Sequence, residues 1–285
     1  MRWPEDADGW PLAQHSRMVL HRPHRWHVQE AGTGPTLLLI HGAGGATQSW
    51  RGLFPLLAQD NRVIAIDLPG QGFTQLGGRQ RCGLDALTTD ILTLIHSEGW
   101  QPDALIGHSA GTAICLRLSQ ILPGPPPVIG INAALGRFKG VAGWLFPMMA
   151  KLLALAPFTA DLFIRTSTAP AQVEKLINGT GSTLDPAGLA LYGRLARDRA
   201  HVDATLAMMS QWSLDTLLAD LPQIAARTLF ITGNKDLAVP PATSRQAASR
   251  MPDAAVQDLE NLGHLAHEEA PEDIAALIRH HLSQG

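Results

Sequence analysis

Five short, unbroken apolar runs punctuate the chain: Thr36-Leu-Leu-Leu-Ile40, Arg62-Val-Ile-Ala-Ile-Asp67, Asp103-Ala-Leu-Ile-Gly107, Pro127-Val-Ile-Gly-Ile131 and Thr228-Leu-Phe-Ile-Thr232. Each is rich in Leu, Ile or Val and bounded by Gly, Pro or a turn. Runs of this length without polar alternation suit parallel strands covered on both faces. Between them lie helix-length segments such as Leu84 to Ser97 and Thr112 to Leu122. The alternation predicts βαβ units, and so an α/β fold with a mostly parallel sheet and helices on both faces. Ahead of it, Arg17 to Glu30 reads as two antiparallel strands broken at Pro23, and Ala255 to Leu259 reads as one more short strand.

The alternation stops after Asn132. Residues 134–222 read as helical, with Pro147, Pro157 and Pro170 as punctuation, and the strand pattern returns at Thr228. The expected organisation is a core of residues 1–133 and 223–285, with 134–222 inserted as a helical cap over the ligand edge of the sheet. Within the cap Leu145, Met148, Met149, Leu152 and Leu153 share one helical stripe. The opposite face is apolar too (Phe146, Ala150, Ala154, Leu155), with Lys151 the only charge. A helix apolar all round packs against the core, lines an apolar pocket or touches a membrane surface.

Composition narrows the classes. Of 285 residues 45% are hydrophobic and 16% charged, against roughly 25% charged in ordinary soluble domains; this excludes disorder and predicts a large core. Lys and Arg number 22 against 25 Asp and Glu, a net charge of −3, so there is no basic field to hold a nucleic acid. Cys82 and Cys115 are too few for a disulfide framework or a zinc cage. The N-terminus carries acidic residues where a signal peptide is basic and apolar. No run supplies the roughly 20 apolar residues of a transmembrane helix. The expectation is a cytoplasmic protein whose membrane contact, if any, is peripheral and made by the cap.

The chemistry lies in the loops after the strands. Gly107-His-Ser-Ala-Gly111 follows an apolar run and precedes a helical segment, the strand–turn–helix context that G-x-S-x-G requires. A nucleophile on so tight a turn has strained backbone angles, and glycines two residues either side relieve Cβ clashes. Ser109 is the expected nucleophile. A serine needs a base, and the base needs an orienting acid, in the chain order serine, acid, histidine. Asp236, in Gly233-Asn-Lys-Asp236 after the fifth run, is the expected acid, and His264, in Gly263-His264, the expected base. The other acid position, after Ile131, holds Asn132, which cannot carry the charge. His267 is the rival base, but Glu268 and Glu269 beside it suggest a helix start with outward charges.

Ile40-His-Gly-Ala-Gly-Gly45 follows the first run and fits an oxyanion loop. Ala43 N–H and Ala110 N–H are the expected oxyanion donors. A phosphate-binding glycine loop is disfavoured, because no Gly-Lys-Ser/Thr follows and Thr47 stands where G-x-G-x-x-G needs its third glycine. The expected pocket lining is His41, Gly42 and His108 from these loops with Trp144, Phe146, Met148, Met149 and Trp212 from the insertion. Asp67-Leu-Pro-Gly-Gln-Gly72 reads as a turn with glycines at positive φ and no chemistry. His21, His24 and His27 alternate faces on extended chain, and His280 and His281 suit a helix C-terminus, so no metal and no cofactor is expected.

Together His41-Gly42, Asp67-x-Pro-Gly70-x-Gly72, Gly107-x-Ser-x-Gly111, Asp236 and Gly263-His264 resemble the α/β-hydrolase family over nearly the whole chain. A narrower set is similar to the magnesium-chelatase accessory proteins of bacteriochlorophyll biosynthesis. It comprises Trp26-His-Val-Gln29, Asp67-Leu-Pro-Gly-x-Gly-Phe-Thr74, Gly107-His-Ser-Ala-Gly111, Gly179-Thr-Gly-Ser182, Ala207-Met-Met-x-Gln-Trp212, Ala238-Val-Pro-Pro241 and Gly263-His-Leu-Ala-His-Glu-Glu269. One departure is Gln71, where that group usually has His. The resemblance implies a role in magnesium insertion into protoporphyrin IX, with an apolar ligand such as a tetrapyrrole and the magnesium-chelatase subunits as partners. Two readings follow: an active serine hydrolase on an ester, or a porphyrin-binding or membrane-docking module with an idle triad.

Overall fold

The computed structural model describes residues 1–136 and 169–284. The strands are β1 (Ser16–His21), β2 (His24–Ala31), β3 (Thr36–Ile40), β4 (Arg62–Ile66), β5 (Ala104–His108), β6 (Val128–Ile131), β7 (Thr228–Gly233) and β8 (Ala254–Leu259). They form one sheet in the order β1-β2-β4-β3-β5-β6-β7-β8. The pairs β1–β2 and β2–β4 are antiparallel and all the others parallel. The five apolar runs are therefore the central parallel strands, and the pair broken at Pro23 is the antiparallel edge.

Every residue of β3, β5 and β6 is buried, as expected of strands covered on both faces. The pleat still divides them. Leu38, Ile40, Ile64, Ile66 and Leu105 join one core with helices α2 (Leu84–Ser97) and α3 (Ala110–Ile121). Leu37, Leu39, Val63, Ala65 and Ile106 join a second core on the opposite face. There they meet Trp50, the short helix α1 (Leu53–Leu57), and Ile274 and Ile278 of the last helix, Pro271–Leu282.

Between β6 and β7 the described residues form four helices, α4 (Pro170–Asn178), α5 (Pro186–Arg197), α6 (Arg199–Gln211) and α7 (Asp215–Asp220), joined by turns. Among the described residues no helix is long and apolar enough to cross a membrane. The stripe through Leu145, Met148, Met149, Leu152 and Leu153, and with it Trp144 and Phe146, lies outside the described residues.

Strand β3 lies between β4 and β5, so the chain leaves it in opposite directions on its two sides. Such a reversal, at the carboxyl ends of the strands, is the usual ligand site of an open parallel sheet. The loops after β3, β5, β7 and β8 all end there.

Candidate active site

Ser109 is the hinge between β5 and α3, with φ 51° and ψ −117°. That conformation costs a non-glycine residue on the order of 1–3 kcal/mol. The surroundings hold it: Ser109 N–H donates to Ile131 O at 2.9 Å, and Ser109 O accepts from Ala134 N–H at 3.2 Å. The flanking glycines are required by contact. A Cβ on Gly111 would lie 2.1 Å from Ile40 O, and one on Gly107 would lie 2.5 Å from Thr112 N.

Ser109 Oγ is 3.0 Å from His264 Nε2, and His264 Nδ1 is 2.8 Å from Asp236 Oδ2. Because a carboxylate only accepts, Nδ1 carries the proton and Nε2 is left to accept from the serine hydroxyl. The other oxygen of Asp236 accepts from Ala238 N–H at 2.8 Å and Val239 N–H at 2.7 Å. Asn132 Nδ2–H donates to Oδ2 at 2.8 Å. Asp236 is thus held on both oxygens and is 5% exposed, while His264 is 9% exposed. Ser109, His264 and Asp236 come together from three loops.

Gly42 brings the loop after β3 against the serine. A Cβ there would meet His108 Nδ1 and Ser109 Cβ, each at 2.9 Å. The loop is closed by Gly45 N–H to Gly42 O at 3.1 Å. Gly44 N–H donates to Gln71 Oε1 at 2.8 Å, and Gly44 O accepts from His201 Nε2–H at 3.2 Å. Among the described residues Ala43 N–H has no acceptor, and Ala43 is exposed. Ala110 opens α3, where the N–H groups of the first turn have no intrahelical acceptor.

Two residues expected to line a pocket are scaffold instead. His41 is fully buried: Nε2 accepts Leu68 N–H at 2.9 Å, so Nδ1–H donates to Gly42 O at 2.7 Å. Its ring braces the loop from below, and burial lowers its pKa. His108 Nε2–H donates to the backbone carbonyl of His264 at 2.8 Å. Burial, with His267 and His264 nearby, holds its pKa well below the ordinary histidine value. Trp212 is half-buried and packs on the α2–α3 core. Trp144, Phe146, Met148 and Met149, expected in the same lining, fall outside the described residues.

His267 is fully buried, its ring tilted against Trp50 and His108 with ring centroids at 4.7 and 4.4 Å, and burial pushes its pKa down to about 3. It cannot reach solvent. The expectation of outward charges beside it is corrected by the structure. The Glu268 side chain is shielded, pairs with Arg51 and accepts from Tyr192 OH at 2.7 Å; burial raises its pKa to about 7. Glu269 holds the N–H groups of Gly263 at 2.9 Å and Thr183 at 3.0 Å.

The 67–72 turn has Gly70 and Gly72 at positive φ, and Asp67 anchors it through Thr47 N–H, Phe73 N–H and His27 Nδ1 at 2.6, 2.9 and 2.7 Å. His24 pairs with Asp90 at 3.0 Å. Among the described residues no cluster of His, Cys, Asp and Glu has the form of a metal site.

Comparison with known proteins places these residues in context. The pattern of the alpha/beta hydrolase fold family matches residues 35–271. The magnesium-chelatase 30 kDa subunit of Rhodobacter capsulatus is 42% identical over 271 residues, covering 94% of this chain and 95% of that protein. The pimeloyl-acyl-carrier-protein methyl ester esterase of Methylococcus capsulatus is 27% identical over 222 residues, covering 75% and 81%. A crystallised serine hydrolase involved in carbazole degradation superposes with a TM-score of 0.74 at 22% identity, covering 95% of this chain and 99% of that one, a likeness of fold.

Proposed function

The chain belongs to the alpha/beta hydrolase fold family, and we propose that it is a serine hydrolase of carboxylic esters, serving as an accessory factor at magnesium insertion into protoporphyrin IX in bacteriochlorophyll biosynthesis. The observation that carries the hydrolase reading is the continuous chain from Ser109 Oγ through His264 to Asp236, at 3.0 and 2.8 Å. The accessory role is supported by the 42% identity to the Rhodobacter capsulatus subunit over 94% of this chain.

In this reading Ser109 Oγ attacks the ester carbonyl carbon as its proton passes to His264 Nε2. Asp236, held by three N–H donors, stabilises the imidazolium without taking its proton. The carbonyl oxygen becomes an oxyanion between the N–H groups of Ala43 and Ala110. Collapse expels the alcohol, which leaves with the proton from His264. Water then attacks the acyl-serine by the same route and returns the proton to Ser109. Losing one oxyanion donor would cost about 10²–10³ in rate. Residues 134–222 act as the cap over this crevice and supply its apolar side, for a tetrapyrrole ester, a membrane surface or the chelatase subunits.

The test is Ser109→Ala. The unmodified protein takes up a serine-directed fluorophosphonate and hydrolyses p-nitrophenyl butyrate, and the variant does neither, with kcat lower by on the order of 10⁶. An unmodified protein inert to both reagents overturns the hydrolase reading. A Ser109→Ala protein that still restores magnesium–porphyrin formation in cells assigns the pathway role to the accessory module and leaves the triad idle.

A further inference from the structure

The run Gly179-Thr-Gly-Ser182 has no part in the chemistry above, yet it is wedged between the loops that carry Asp236 and His264. Thr180 O accepts from Leu237 N–H at 3.0 Å and from His264 N–H at 3.3 Å, so one carbonyl is shared by the acid loop and the base. Ser182 Oγ, with Ser182 1% exposed, accepts from Leu265 N–H at 2.8 Å. Glu269 joins Gly263 N–H to Thr183 N–H. Two consecutive amides, of His264 and Leu265, are therefore committed to this one turn, and that of Gly263 is tied to the residue after it through Glu269.

The contact is backbone on backbone. Gly181 has φ 84°, and a Cβ on it would lie 1.8 Å from Lys235 O. A Cβ on Gly263 would lie 2.3 Å from Gly181 C. At these two glycines no side chain stands between the backbones, so a displacement of the turn moves both loops. The loops also meet directly through Lys235 N–H and Leu262 O at 2.9 Å. That bond precedes both triad residues and leaves the amides of His264 and Leu265 to the turn.

We infer that the turn 179–182 is a positioning element of the active site, setting the separation and orientation of Asp236 and His264 from within the insertion. The inference rests on the triad reading above. It makes the insertion part of the catalytic frame as well as a cover over it. A small change in the placement of a proton-transfer pair costs far more rate than binding, up to about 10²-fold for an ångström.

Ser182 offers the cleanest test, because alanine removes one acceptor and threonine keeps it. For Ser182→Ala we expect kcat on p-nitrophenyl butyrate to fall about 10-fold with KM within about twofold, since misplacement acts on the chemical step. The acidic limb of the pH profile should move, because it reports the base. The far-downfield proton resonance of His264 Nδ1–H should shift or broaden. Ser182→Thr should restore all three, and Gly181→Ala should lose more than Ser182→Ala if it folds. Ser182→Ala with an unchanged resonance, an unchanged limb and an unchanged kcat per titrated site overturns the inference. If the unmodified protein proves inert to ester and fluorophosphonate, the hydrolase reading falls, and the resonance alone still decides whether the turn positions the pair.

Discussion

Asn132 Nδ2 lies 2.8 Å from Asp236 Oδ2, the oxygen that also receives His264 Nδ1–H. Asn132 stands just past β6 with φ 47°, at the position an alternative acid would occupy. Its amide turns that place into a support for Asp236 after β7. A buried carboxylate needs donors on every lone pair that faces the protein, and this is one that sequence order alone does not reveal.

Asn132→Leu removes that donor, and the expected result is a fall in kcat/KM of about 10-fold, in line with about 1–3 kcal/mol for a buried acceptor left short. Asn132→Asp should do worse. It replaces the donor to Asp236 with a second carboxylate, whose like charge repels it and adds negative charge beside His264. Its acidic limb should move to higher pH. Profiles of kcat/KM against pH for both variants check this, and an Asn132→Leu enzyme indistinguishable from the unmodified one would refute it.

Gly42→Ala tests the oxyanion loop. The added Cβ meets His108 Nδ1 and Ser109 Cβ, each at 2.9 Å, so the loop must retreat from the elbow and take Ala43 N–H with it. The expected loss is on the order of 10² in kcat, the scale of one oxyanion donor, with KM little changed. Steady-state kinetics on p-nitrophenyl butyrate give the split, and a loss confined to KM would place Gly42 in binding instead.

How much of this is legible in the chain depends on whether the information is local. The five apolar runs map onto the central parallel strands, because a strand buried on both faces needs apolar residues throughout. The Gly107–Gly111 elbow is equally local, since strain and close packing demand glycines at fixed offsets from Ser109. His41 and His108 read as pocket residues in the sequence, and their partners show why that reading fails. Leu68 N–H and the His264 carbonyl are 27 and 156 residues away in sequence, and a histidine does not announce its tertiary acceptor. A helix-start rule sends Glu268 to solvent, and it cannot anticipate Arg51 and Tyr192 arriving from 217 and 76 residues away.

His267→Phe separates the two candidate bases. His267 is fully buried between Trp50 and His108, and neither ring nitrogen has a partner among the described residues. An aromatic ring of similar breadth should fill the site, with kcat within about threefold of the unmodified protein, as volume-conserving core swaps are tolerated. His264→Ala should abolish fluorophosphonate labelling. Loss of labelling in a folded His267→Phe variant would reverse the assignment.

Acid lability is expected from His201, which joins α6 to both loops above the elbow. Its Nδ1 accepts Gly72 N–H at 3.1 Å and its Nε2–H donates to Gly44 O at 3.2 Å, two bonds that only the neutral ring can make together. Burial lowers its pKa to about 4, while the unfolded chain takes up the proton near the ordinary value of about 6.5. Between those values the unfolded state binds the extra proton, so stability rises with pH. The contribution is complete above a pH of about 6.5 and is lost progressively as pH falls to about 4. Its size is on the order of 3 kcal/mol, because each tenfold difference in proton affinity between the folded and unfolded chains is worth about 1.36 kcal/mol. His201→Asn removes the titration. The variant should be less stable than the unmodified protein at pH 7, for want of the Gly44 bond, worth about 1 kcal/mol, and the order should reverse as pH approaches 4. Urea midpoints measured across that range decide it, since parallel curves would mean that His201 is not the group that titrates.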